Sequence, residues 1–237
     1  MSEAKAVAVF ASGGGTNLQV LLDTFGPAGP DPSARIALLI SDRPGIGALA
    51  RAERAGVPTR TLLPNAFEDK DAFAAALLEA LREQRIDLIA LAGYLKLVPE
   101  SVVQAYRGKI INIHPGLLPT FGGPGMYGHH VHEAVLESGV AISGPTIHFV
   151  DERYDTGPVI AQWPVPVLGG DTPDSLAARV LRYEHRLYPV VLGALARGEV
   201  ALTSEGRVRV VTGVNKELGF GLLDEQSSLT SVEVWDR

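Results

Sequence analysis

The chain has 237 residues, 46% of them hydrophobic and 20% charged, which suits one large globular α/β domain or two small ones and not a disordered chain. The net charge of −6 argues against a general nucleic-acid binder, and the lack of cysteine excludes disulfides, zinc–thiolate sites and a Cys nucleophile. No apolar run reaches the roughly 20 residues needed to span a bilayer, and the N-terminus leads into a strand without a cleavable signal's layout, so a soluble cytoplasmic protein is expected.

Apolar runs alternate with helical patterns from the start. Residues 6–11 read as a first strand and 17–25 as the helix after it, followed by a Pro/Gly-rich connector over 26–32. A second strand is predicted over 36–40, a helix near 46–55 that stops at Gly56, and a short strand over 59–62. The spacing of Phe73, Leu77, Leu78 and Leu81 predicts a long amphipathic helix over 67–84. Residues 88–92 and 109–113 are short, continuously apolar strands, as expected where both faces of a sheet are covered.

This alternation predicts a Rossmann-like, doubly wound and mainly parallel α/β sheet. Residues 119–128 read as a glycine- and proline-rich loop, and a helix follows over 130–137. Residues 146–150 and 159–167 are expected to form an antiparallel strand pair joined by the Asp151–Gly157 turn. Asp171-Thr172-Pro173-Asp174 opens a long helix to about Arg197. The expected organisation is one domain over 1–205, with a nucleotide-binding half at about 1–108 and a catalytic half at about 109–205. Residues 206–237, weak in pattern, are expected to be an appendage or tail.

Three segments carry chemistry. Ser12-Gly13-Gly14-Gly15-Thr16-Asn17 links the first strand to its helix, where close-approaching backbone N–H groups and a helix N-terminus favour an anion. Leu18 stands where a dinucleotide motif has its third glycine, and no Gly-Lys-Ser/Thr follows, so a phosphate monoester is expected over a dinucleotide or ATP. The bland alternative is a tight turn without a ligand.

The second segment is Asn112-Ile113-His114-Pro115. In a strand, Asn112 and His114 share a face while Ile111 and Ile113 point to the other, and Pro115 ends the strand. An amide thus stands beside a proton-transfer group at a strand's C-terminal end, where open α/β sheets bind ligands. The third segment runs from His148 to Asp155. His148 alone is more often a hydrogen-bonded core histidine, and most charges of 151–155 belong to a solvated turn. Asp155, fixed by the following turn, is expected to approach His114 and to favour its imidazolium. His129, His130 and His132 invite a metal site, but no carboxylates stand at ligand spacing, and none is expected.

These segments resemble, in order from about residue 6 to 200, the phosphoribosylglycinamide formyltransferases of the wider formyltransferase family. The resemblance extends through Leu91-Ala92-Gly93-Tyr94-Leu95-Lys96, Gln162-Trp163-Pro164-Val165-Pro166-Val167 and Glu184-His185-Arg186-Leu187-Tyr188-Pro189. It implies formyl transfer from 10-formyltetrahydrofolate, as cosubstrate and without a metal, to the amine of glycinamide ribonucleotide in purine synthesis.

By matching position it implies Asn112, His114 and Asp155 as the catalytic trio. Gly15, Thr16, Asn17 and Glu184 would bind the ribonucleotide, and Lys70, Leu95, Lys96, Leu97, Val98 and Asn112 the folate. Lys70 and Lys96 stand where some members have Arg, which weakens bidentate recognition. The contacts of the 121–130 loop stay unassigned. The expected partners are the two small molecules, with no nucleic acid or membrane and with the chain a monomer or homodimer. Two rivals remain: another 10-formyltetrahydrofolate enzyme such as a deformylase, and a nucleotide-monophosphate sensor, which would need the glycine loop but not the Asn–His–Asp geometry.

Overall fold

The computed structural model describes residues 3–210. Its strands are β1 (Lys5–Ala11), β2 (Ala34–Ser41), β3 (Thr59–Thr61), β4 (Leu88–Leu91), β5 (Ile110–His114), β6 (Ile142–Ser143), β7 (Thr146–Phe149), β8 (Val159–Gln162), β9 (Val165–Pro166), β10 (Val200–Leu202) and β11 (Val208–Val210). Its helices are α1 (Thr16–Phe25), α2 (Gly47–Arg54), α3 (Lys70–Glu83), α4 (Glu100–Ala105), α5 (His129–Ser138) and α6 (Pro173–Ala196). A seven-stranded sheet runs β3-β2-β1-β4-β5-β7-β8. It is parallel from β3 to β5, and β7 and β8 complete it antiparallel.

Alternate side chains of β1 explain the double winding. Val7, Val9 and Ala11 pack with α1, α2 and α6 on one face, while Ala6, Ala8 and Phe10 pack with α3 and α4 on the other. All six are at most 2% exposed, so β1 is a central strand with no polar face, as its unbroken apolar run requires. A third cluster joins Phe121, Val131 and Val135 to Leu176 and Val180, seating α5 and the segment before it on α6.

Some elements depart from those expected. The helix α4 was not foreseen: its six residues are too few for a periodic signal, and only Val102 and Val103 of it are buried. The strand expected over 159–167 is split. Val159–Gln162 stays in the large sheet, while Val165–Pro166 pairs with β6 in a separate two-stranded sheet. Gly144 makes the break possible, because a side chain there would overlap the Trp163 carbonyl. Of the expected 206–237 appendage, residues 206–210 complete the β10–β11 hairpin, and 211–237 lie outside the described residues.

One buried polar contact ties the long helix to the sheet where parallel strands end. Tyr188 of α6 is 0% exposed, and its hydroxyl donates to the Leu91 carbonyl at 2.8 Å, with the Ile111 carbonyl at 3.4 Å. Tyr188→Phe removes this donor without changing the ring's packing, and should cost about 1–3 kcal/mol. Urea unfolding checks it: the midpoint should fall at unchanged slope.

Candidate active site

The C-terminal ends of β4 and β5 open onto a cavity of about 770 Å³. Asn112, His114, His148 and Asp155 line it together, with Asn17 and Glu184 in the same wall. The sheet register assembles the first three. In the β5–β7 pair, Asn112 stands directly opposite His148 and His114 opposite Thr146, so three polar side chains share one face. Ile111 and Ile113 turn into the core as expected, at 0% and 5% exposure.

Asp155 arrives from the turn between β7 and β8. It holds a left-handed backbone, φ 56°, which Asp tolerates better than most side chains. Its Oδ2 accepts from the Gly123 N–H at 2.9 Å and lies 3.6 Å from His114 Nδ1, while Oδ1 lies 3.6 Å from His148 Nε2. Asn112 Nδ2 is 3.1 Å from that same His148 nitrogen. The cluster is therefore Asn112–His148–Asp155–His114, and His148 is a full member of it. The resemblance carried no role for His148, and its place between apolar neighbours read as core. The antiparallel register, which the sequence does not give, puts it between the amide and the carboxylate.

Carbonyl partners fix the ring protons. A carbonyl only accepts, so His114 Nε2 must donate to the Phe121 carbonyl, 2.6 Å away, and His148 Nδ1 to the Phe149 carbonyl, 2.8 Å away. His148 Nε2 is then free to accept from the Asn112 amide, which keeps a second N–H for another acceptor. His114 Nδ1 becomes the nitrogen that gains and loses a proton, beside Asp155.

The electrostatics correct one expectation. Burial pushes the His114 pKa down, and Asp155 and the Phe121 carbonyl recover only part of the loss, so it lies below the ordinary value and the resting ring is neutral at neutral pH. Asp155 behaves oppositely. Burial pushes its carboxyl up, but the nearby His148 and His114 rings and the Gly123 N–H outweigh that and hold it below the usual range. Asp155 thus rests as a carboxylate beside a neutral His114.

At the far end Asn17 Nδ2 donates to Glu184 Oε2 at 2.6 Å, and burial pushes the Glu184 pKa up. Asn17 Oδ1 is buried with no hydrogen-bond partner in the protein, as is fitting for a residue that completes its bonding with a ligand. In the glycine loop, the Gly13 and Gly14 carbonyls accept from Ala48 N–H and Arg51 Nε of α2, so the trans peptide planes aim the following N–H groups away from α2. Side chains at Gly13 or Gly14 would meet nothing within 4 Å, leaving that surface open. Gly15 is glycine for packing and conformation: its φ is 75°, and a Cβ would lie 2.7 Å from Ala48 Cα.

Leu95, Lys96, Leu97 and Val98 line the cavity; Leu95 and Leu97 are exposed, as are Tyr127 and Tyr154 in the same lining. Gly15, Thr16 and Lys70 are not in the lining; Lys70 is the exposed first residue of α3. Of the three adjacent histidines, His129 and His130 are exposed, each beside one carboxylate, and His132 is buried in the cavity wall. Among the described residues, no group of three His, Asp or Glu side chains is placed to hold a metal ion, and no helix is long and apolar enough to cross a membrane.

Comparison with known proteins gives the family. The model of the formyl transferase family matches residues 5–192. The chloroplastic phosphoribosylglycinamide formyltransferase of Arabidopsis thaliana is 43% identical over 203 residues, covering 85% of this chain and 69% of the relative. The phosphoribosylglycinamide formyltransferase of Bacillus subtilis is 42% identical over 201 residues, covering 83% of this chain and 100% of the relative. The crystal structure of glycinamide ribonucleotide transformylase 1 from Symbiobacterium toebii superposes with a TM-score of 0.80 at 40% identity, covering 89% of this chain and 96% of that one.

His132 offers a test of the site's electrostatics. Burial, with smaller contributions from His129 and His114, lowers its pKa to about 4. The unfolded chain takes up a proton at the ordinary value of 6.5 that the native state refuses until about 4, so the contribution of His132 to stability is flat above 6.5 and falls as pH drops between these values. Over that window His132→Leu should show a shallower loss, by up to about 1.4 kcal/mol per pH unit. Urea midpoints of both proteins at several pH values check it; parallel slopes would contradict the assignment.

Proposed function

The chain belongs to the formyl transferase family and is a formyl-transferring enzyme of purine biosynthesis, and we propose that Asn112, His114 and Asp155 carry the transfer from 10-formyltetrahydrofolate to the amine of glycinamide ribonucleotide. The observation that carries this reading is the convergence of an amide, an imidazole and a carboxylate on one wall of a cavity large enough for two substrates.

The cavity's two ends suit the two molecules. Asn17 and Glu184, with the open surface of the glycine loop at Gly13 and Gly14 nearby, suit a ribose phosphate. The apolar stretch of Leu95, Leu97 and Val98 suits a flat heterocycle, with Lys96 available to the folate's acidic tail. Held this way, amine and formyl carbon meet beside Asn112 and His114, and positioning supplies much of the rate.

As the amine adds to the formyl carbon, the carbonyl oxygen becomes negative. The Asn112 amide, oriented by His148, turns its remaining N–H to that oxygen. His114 rests neutral, so Nδ1 is free to take the proton that the amine loses, directly or through a water held by Asp155. The imidazolium formed then faces the Asp155 carboxylate, which stabilises it, and its Nδ1–H serves the oxyanion and afterwards the departing folate nitrogen. The proton is returned and the residues end as they began.

The catalytic domain would run from residue 1 past the expected boundary at 205 through β11, because β11 pairs with β10. The reaction needs only its two small molecules, whether the chain is a monomer or a homodimer, and neither nucleic acid nor membrane; we place it in the cytoplasm. Asp155→Asn keeps shape and removes charge. It should lower kcat by about a hundredfold or more while calorimetry finds both substrates still bound. Near-normal turnover in this variant would remove Asp155 from the mechanism, and release of formate instead of formylated product by the unaltered protein would favour a deformylase.

A further inference from the structure

The 117–123 segment has no assigned role, yet its backbone touches both ends of the proton-transfer pair. The Phe121 carbonyl accepts from His114 Nε2 at 2.6 Å, and two residues on the Gly123 N–H donates to Asp155 Oδ2 at 2.9 Å. That carboxylate oxygen is the one 3.6 Å from His114 Nδ1. We propose that Phe121–Gly123 is a positioning strap for the reaction, one stretch of backbone that sets His114 and Asp155 relative to each other and leaves Nδ1 as the working nitrogen. The inference rests on the catalytic reading of those two side chains.

The strap is held from both sides. Phe121 N–H donates to the Leu117 carbonyl at 3.1 Å, and the Phe121 ring is buried against the α5–α6 cluster. Gly122 lies directly over Asp155: an added Cβ would stand 2.9 Å from Asp155 Cβ and would overlap Leu118 Cδ2. Its φ is outside the left-handed region, so alanine there meets no backbone strain, only these neighbours. Gly116 guards the other end, where a Cβ would lie 3.1 Å from Phe121 Cβ and 3.2 Å from His114 Nε2. Neither catalytic side chain shifts independently of the strap, because each is bonded to it.

Gly122→Ala in the full chain tests this. Displacing Asp155 from His114 should lower kcat by about tenfold to a hundredfold with both KM values nearly unchanged, in keeping with the cost of small misplacements. Losing part of the carboxylate's support should also move the acid limb of the kcat profile, and the His114 titration seen by NMR, to lower pH. Leu118→Val removes the Leu118 obstacle, so the pair Leu118→Val, Gly122→Ala should fold readily and remain as slow as Gly122→Ala, with Leu118→Val alone near the unaltered rate. Recovery of kcat in the double variant would reduce Gly122 to a packing residue. An unmoved His114 titration, or a loss confined to KM, would equally overturn the strap. If Asp155→Asn is slow while Gly122→Ala is fast, the strap fails and the catalytic reading stands; an active Asp155→Asn fails the catalytic reading itself.

Discussion

Where β7 pairs antiparallel with β5, a parallel sheet changes direction, and the site depends on that reversal. A parallel neighbour would carry its own polar C-terminal end to the same rim. An antiparallel neighbour instead lays the middle of a strand, His148, directly across from Asn112 and brings its following turn, with Asp155, back over the cavity. Two strands and one turn then bring an amide, two imidazoles and a carboxylate within hydrogen-bonding or near ion-pair distance.

Burying such a group is costly unless its hydrogen bonds are met. Here the backbone meets them: carbonyls of Phe121 and Phe149 take one nitrogen of each histidine, and the Gly123 N–H serves the carboxylate. The same bonds confer chemical order. Each imidazole is left with one nitrogen for its carbonyl and one for the cluster, so the protons are not free to exchange roles. Burial keeps His114 neutral and ready to accept, while Asp155 stays ionised and ready to stabilise the charge that forms. Structural satisfaction and acid–base assignment are one arrangement.

Much of this was legible in the sequence. Continuous apolar strands alternating with amphipathic helices predicted the doubly wound sheet, and Asn112 and His114 at alternate positions before Pro115 predicted a shared polar face. Other features depend on long-range geometry. The role of His148 needs the β5–β7 register, and the break at Gly144 needs the Trp163 carbonyl beside it. The direction of the His114 shift needs the depth of burial: the Asp155 charge raises the pKa, but desolvation is the larger effect. Helix α4 is too short for any periodic signal to reveal.

His114 works through Nδ1 because Nε2 is committed to the Phe121 carbonyl. Long-range nitrogen–proton correlation on protein labelled with nitrogen-15 in its histidines reports each ring nitrogen separately. At neutral pH, His114 should show a protonated Nε2 and an unprotonated Nδ1, with Nδ1 alone titrating as the pH falls below the ordinary histidine range. A protonated Nδ1 with a bare Nε2 at neutral pH would contradict it.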